Sequence, residues 1–200
     1  MFENIREDLR RFHDVDNVHV GRQDIHHPPW HRRIEAMRIF WHSPALKALV
    51  AYRLGRWLSN GLRIWLRWPL IAILTPVYCL LSFYYRIAYD IRLELSADIG
   101  PGLYIGHFGG IRIQNCRVGR HCAIQQEVRI GSMSNNADGP TIGNRVWIGA
   151  HSRIEGKTTV GDQATIAAGT KISSDVSECS LMLGSPARVC KTNYDNSAFL

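Results

Sequence analysis

The sequence predicts a mainly β protein: a parallel β-helix preceded by an N-terminal α-helical region. Three observations carry this expectation. Aliphatic residues recur at every sixth position, without a break through Ile142, Ile148, Ile154, Val160, Ile166 and Ile172, and earlier in the runs Ile99, Ile105, Ile111 and Val118, Ile124, Ile130. A glycine or alanine follows most of them, as in Ile99-Gly100, Ile105-Gly106, Ile142-Gly143 and Ile166-Ala167. Positions two residues earlier, which alternation along a strand also turns inward, are mostly small: Ala97, Gly109, Cys116, Cys122, Ser152 and Ala164 among them. A helix repeats every ~3.6 residues and a half-buried strand every ~2, so neither holds such a period. A coil of three short strands does, each aliphatic side chain stacking on its equivalent about 18 residues later.

Each segment has its own grounds. Residues 1–92 form the N-terminal helical region, 93–190 the β-helix and 191–200 a polar tail. Residues 1–43 are charged and histidine-rich, with a short helix expected near Ile5–Phe12. The run His26-His27-Pro28-Pro29 reads as a loop, because proline pushes the preceding residue out of the helical region. The histidines at 19, 26, 27 and 31 lack helical spacing and read as solvated rather than metal-binding. Residues 44–67 are expected to be helical, with Ser43 as N-cap and Pro44 at the first position. Leu46, Leu49, Leu54 and Trp57 line one face at helical spacing, and Arg53, Arg56, Arg63 and Arg67 line another. Trp68–Tyr85 carries no charge but contains Pro69 and Pro76, which predicts a broken helical pair or a shallow hairpin rather than a span. Within the β-helix the period slips once, to seven residues between Ile111 and Val118, and Ser132–Gly139 reads as a projecting loop.

Composition narrows the class. With 46% hydrophobic and 20% charged residues the chain is globular and able to bury a core. Its formal net charge is +7, and no acidic residue occurs between Glu35 and Asp90. A selectively basic amphipathic segment beside an apolar run predicts peripheral attachment to an anionic membrane surface rather than nucleic-acid binding. Five cysteines without a CxxC pair argue against a disulfide framework or a zinc site and for a reducing compartment. The expected location is the cytoplasm, at the inner face of the membrane.

The sequence resembles the hexapeptide-repeat acyltransferases, and within them the serine acetyltransferase branch. The residues that carry the resemblance are the repeat itself, Met1-Phe2 with Arg6-Glu7-Asp8, Tyr52-Arg53-Leu54-Gly55-Arg56-Trp57-Leu58, and Gly184-Ser185-Pro186-Ala187-Arg188-Val189. The resemblance implies a left-handed β-helix, a homotrimer, and acetyl-CoA as co-substrate without a metal. It places the catalytic histidine on His107, in Gly106-His107-Phe108-Gly109-Gly110. A near-neutral imidazole suits removal of a hydroxyl proton as attack on a thioester begins. Asp90, Glu94 and Glu127 are candidates for the carboxylate that orients it; the branch's own Asp, fifteen residues before the histidine, is replaced by Arg92. Coenzyme contacts are implied at Gly131, Ala150, Ala168, Lys171, Arg188 and Lys191.

Two departures bear on the acceptor. Where the branch has Asp before the histidine and Arg-His-Pro in the projecting loop, this chain has Gly106 and Asp138-Gly139-Pro140. Those positions offer a zwitterion no clamp, so the expected acceptor is a saccharide hydroxyl, lipid-linked or nucleotide-linked, as in exopolysaccharide assembly. The alternative is serine O-acetylation. A γ-type carbonic anhydrase needs three histidines converging on zinc, and the spacing of His107, His121 and His151 does not match.

Overall fold

A computed structural model describes residues 1–20, 37–59, 64–106, 109–131 and 139–199, and the side chains of all of these except 16–20 and 64–73. The second half winds into a prism of three parallel faces. Face A stacks Ile91–Leu93, Ile111–Ile113, Arg129–Ile130, Arg153–Ile154 and Lys171–Ile172. Face B stacks Asp98–Ile99, Arg117–Val118, Thr141–Ile142 and Thr159–Val160. Face C stacks Tyr104–Ile105, Ala123–Ile124, Trp147–Ile148, Thr165–Ile166 and Leu181–Leu183, and ends on the antiparallel strand Arg188–Lys191. The fold is therefore the parallel β-helix that the six-residue period predicts. Ile105, Ile113, Ile124, Ile130, Ile148, Ile154, Ile166 and Ile172 fill its axis, all buried. Burying each such side chain contributes about 1.5–3 kcal/mol.

The register corrects the expected slip. Ile113, not Ile111, pairs with Ile130, while Ile111 pairs with Ile91 one coil below. The irregularity therefore lies earlier: two more residues separate Ile105 from Arg112 than separate their partners Ile124 and Arg129. His107 and Phe108 fall within that enlarged corner, from face C to face A, and themselves lie outside the described residues. Residues 132–138 of the expected projecting loop and the histidines at 26, 27 and 31 also lie outside them.

The helices differ from expectation in length and in what they bury. Helix α1 spans Phe2–Val20, longer than the short helix expected, and packs Phe12 on Tyr104 with ring centroids 4.9 Å apart. Residues 37–42 are also helical. Helix α2 spans Pro44–Ser59, residues 60–63 of the expected helix lie outside the described residues, and the Ser43 hydroxyl accepts from the Leu46 amide at 3.3 Å, as an N-cap does. Helix α3 spans Ile64–Ala88 as one helix through Pro69 and Pro76. An interior proline costs about 3 kcal/mol, yet the helix continues through both. A Cβ on Gly55 would lie 2.5 Å from the Tyr78 ring, so only glycine lets α2 approach α3 this closely.

The basic stripe of α2 is not a free surface. Arg53 is only 5% exposed, and the Tyr52 hydroxyl beside it donates to the Ala97 carbonyl at 2.7 Å. Arg53 donates to the Asp8 carboxylate at 3.1 Å and to the carbonyls of Ile99 and Gly100. Arg56 donates to the Leu95 carbonyl at 3.1 Å and to Asp98 at 2.8 Å. The physical reason is the bottom coil of the β-helix, whose carbonyls have no strand below them and take donors from α2 instead. Arg63 and the side chain of Arg67 lie outside the described residues. Among the described residues no helix is long and apolar enough to cross a membrane.

Candidate active site

The corner between faces C and A carries the candidate chemistry. The pairings that align Arg92, Arg112, Arg129, Arg153 and Lys171 on face A also align the residues two before them. Asp90, Gly110, Glu127, His151 and Gly169 thus share one column at this corner, all in the left-handed backbone region. The Glu127 amide donates to the Gly109 carbonyl at 2.8 Å. A Cβ on Gly110 would lie 2.2 Å from the Glu127 carboxylate, so Gly110 is the space that this carboxylate occupies. On the other side of residues 107–108, the Gly106 amide donates to the Ile124 carbonyl at 2.9 Å and the Gln125 carboxamide covers Gly106.

This geometry separates the three candidate carboxylates. Glu127 lies one coil above the His107 corner and Asp90 one coil below it. Asp90 is paired with Arg92 at 3.2 Å. Glu94 is exposed at the far end of face A, where its carboxylate accepts from the Ser96 hydroxyl at 3.4 Å. Glu127 and Asp90 therefore stand at the corner between faces C and A, and Glu94 stands at the other end of the face A strand. His121 and His151 are exposed. Among the described residues no group of three or more His, Cys, Asp or Glu gathers as a metal site.

A cavity of about 640 Å³ opens between helices α2 and α3 and the lower coils of face A. Arg86, Arg92, Arg112 and Arg129 line it, with Glu94 and Glu155 as its acidic groups. Tyr52, Tyr78 and Tyr85 form an aromatic wall. Burial pushes the Tyr52 and Tyr85 phenols up from their usual range, so both remain protonated donors near neutrality. Gly131 lines this cavity, as does Glu155, the partner of Lys171.

Of the other positions implied for the coenzyme, Ala150 and Ala168 directly precede His151 and Gly169, higher on the corner between faces C and A. The Gly169 amide donates to the Ala150 carbonyl at 2.7 Å, and a Cβ on Gly149 would clash with the Ala168 backbone at 2.6 Å. Ala150 and Ala168 thus lie against a closely packed backbone where bulk is excluded. Lys171 is held by Glu155 at 3.3 Å, and its amide donates to the Gly184 carbonyl at 3.1 Å. Arg188 and Lys191 are exposed on the closing strand, where cations are available to phosphates. Small corners with cations beyond them suit an extended anionic ligand.

The arginine ladder is the feature that sequence reasoning missed. Its signal was present: a basic residue directly precedes the inward aliphatic in Arg112-Ile113, Arg129-Ile130, Arg153-Ile154 and Lys171-Ile172.

The Bacterial transferase hexapeptide (six repeats) family matches residues 139–174. A serine acetyltransferase of Synechococcus elongatus is 30% identical over 149 residues, covering 73% of this chain and 57% of the relative. One from Helicobacter pylori is 32% identical over 148 residues, covering 72% of this chain and 80% of the relative. The crystal structure of Neisseria gonorrhoeae serine acetyltransferase in complex with serine superposes with a TM-score of 0.69 at 21% identity, over 94% of this chain and 68% of that one. The chain spans about half the length of the first curated relatives it matches. These relatives overturn the expected saccharide acceptor. Gly106 and Asp138 leave two positions without a clamp, but the cavity wall carries charges of both signs elsewhere. With four-fifths of the Helicobacter pylori relative covered at this identity, the chain belongs to the serine acetyltransferase family of hexapeptide-repeat proteins.

Proposed function

We propose that the chain is an acetyl-CoA-dependent O-acetyltransferase whose acceptor is the hydroxyl of serine, with His107 as general base. The observation that carries this reading is the Glu127 carboxylate seated on Gly110, beside a corner enlarged by two residues where His107 falls. The imidazole takes the hydroxyl proton as the serine oxygen attacks the thioester carbonyl. The C–O bond forms, the C–S bond breaks, and the same proton passes to the departing thiolate. Glu127 orients the imidazole and stabilises its cationic form. Ala150, Ala168 and Lys171 with Arg188 and Lys191 receive the coenzyme, and the working unit is a homotrimer. The location we propose is the cytoplasm, where five free thiols persist. Attachment at the inner face of the membrane would use the exposed apolar side of α3, at Leu80, Phe83 and Ile87.

The test is CoA release with L-serine as acceptor. Wild type turns over; His107→Ala loses at least about 10²-fold in kcat, and Glu127→Gln a smaller factor, with KM for acetyl-CoA nearly unchanged. Full activity of a correctly assembled His107→Ala protein overturns the reading.

A further inference from the structure

We propose that the pocket at the corner between faces B and C, enclosed by helix α1 and the C-terminal tail, binds a phosphate group through Arg11 and Arg145. It stands on a different corner of the prism from Gly110 and Glu127, and it requires neither acceptor nor coenzyme.

The register and two flanking segments build the pocket. The pairings that align Tyr104, Ala123, Trp147, Thr165 and Leu181 on face C also align the residues two before them. Gly102, His121, Arg145, Gln163 and Cys179 thus form a column, all in the left-handed backbone region. Helix α1 is anchored beside this column at two points: Asp8 accepts from the Gly102 amide at 2.7 Å, and Phe12 packs on Tyr104. Between those anchors, Arg11 lines a pocket of about 310 Å³ together with His121, Arg145 and Gln163. The tail bounds it from the other side. The Tyr194 amide donates to the Cys179 carbonyl at 2.7 Å, the buried Asn196 carboxamide donates to the Arg145 carbonyl at 2.8 Å, and Ser197 completes the lining.

The electrostatics call for an anion. Arg11 Nε and Nη2 are buried with no hydrogen-bond partner. These two nitrogens form one edge of the guanidinium, the edge that grips an oxoanion through two parallel N–H bonds. Burial pushes Arg11 down from its ordinary range, and the neighbouring Arg145 cation adds to the drop, yet an arginine stays charged. Two cations facing one small space repel until an anion lies between them. The carboxylates nearby do not supply it. Asp14 contacts His13 at 3.6 Å, and Asp195 accepts from the amide of Ser197 at 2.9 Å and from its hydroxyl at 3.1 Å. Glu7, one turn earlier on α1, has its own Oε2 buried without a partner. A buried donor left without an acceptor carries its full desolvation penalty, which a bound oxoanion removes. A phosphate group carries close to two negative charges near neutrality, matching the two arginines. The volume lies at the small end of the range for ligand sites, so it suits one phosphate group rather than a whole coenzyme.

The probes are inorganic phosphate and AMP, a phosphomonoester, added to the full chain at an ionic strength held constant with sodium chloride. Calorimetry gives Kd, and thermal circular dichroism gives Tm. The expected Kd is on the order of 1 mM or tighter, with a Tm rise of about 3–6 °C at roughly ten times Kd. Arg11→Met and Arg145→Asn each weaken binding at least about tenfold; asparagine tolerates the left-handed backbone at 145. Saturating CoA leaves phosphate binding unchanged. Without phosphate, Arg11→Met melts no lower than wild type, because its unpartnered buried donors are gone. Should Arg11→Met fail to fold, Arg145→Asn decides alone. Tighter binding of AMP than of inorganic phosphate, lost in the same variants, identifies the ligand as a phosphomonoester; the reverse order identifies the free ion. Undiminished binding in the variants, displacement of phosphate by CoA, or no response beyond that to chloride overturns the inference and leaves the proposed acetyl transfer standing.

Discussion

Replacing Arg53 by methionine should destabilise the whole protein, although Arg53 is remote from the candidate active site. Asp8 is fully buried and Arg53 nearly so, with the guanidinium Nε 3.1 Å from the carboxylate. The Asp8 carboxylate also accepts from the amides of Gly102 at 2.7 Å and Leu103 at 3.3 Å. Burial pushes the Asp8 carboxyl up from its ordinary range against the pull of Arg53 and those amides. Removing the cation leaves a buried carboxylate without its main partner, and removing one member of such a pair costs about 3–5 kcal/mol. For a chain of this length each kcal/mol shifts Tm by ~2–4 °C, so the expected drop is about 6–20 °C by thermal circular dichroism. Asp8→Asn combined with Arg53→Met should cost less than the two single changes added together, because no charge remains buried. It should still cost something, since the Ile99 and Gly100 carbonyls lose their donors. A loss below about 1 kcal/mol in Arg53→Met, measured by urea titration, would refute the claim that this pair ties α1 and α2 to the bottom coil.

Two further outcomes follow from the prism itself. Burial pushes the thiols of Cys116 and Cys122 up to about 12 and about 11, from an ordinary value of 9.0. Above pH ~9 the unfolded chain loses these protons while the folded chain keeps them, so stability should fall as pH rises from ~9 toward 11, by ~1.4 kcal/mol per unit for each thiol. Urea midpoints at a series of pH values check this, and Cys116→Ala with Cys122→Ala should flatten the decline. Gly110→Ala should lower kcat as well as stability, because its Cβ would displace the Glu127 carboxylate at a positive φ of 67°. Gly109→Ala has open space around its Cβ, at a φ of 115°, and serves as the control for backbone strain alone. Equal losses of kcat in the two variants would show that the position of Glu127 is immaterial.

The architecture was legible in the chain because it is written in short-range terms. Each coil must place an aliphatic residue inward at Ile142, Ile148, Ile154 and onward, and a small one at the turn, so the period appears within any stretch of about 18 residues. Ser43 as N-cap, Gly184-Ser185-Pro186 near the closing strand and the inward cysteines were readable for the same reason. What tertiary structure alone decided is which side chains meet across coils. Two extra residues at the His107 corner shift the register, so Glu127 comes to lie on Gly110, and Arg112 between Arg92 and Arg129. Arg53 looked like part of a basic outer stripe because helical spacing states only which residues share a face. The unpaired carbonyls at the end of the prism turned that face inward, and they belong to residues more than forty positions away along the chain. Periodicity is local and survives in the sequence, whereas partnership between distant residues depends on register and end effects that exist only once the coils have stacked.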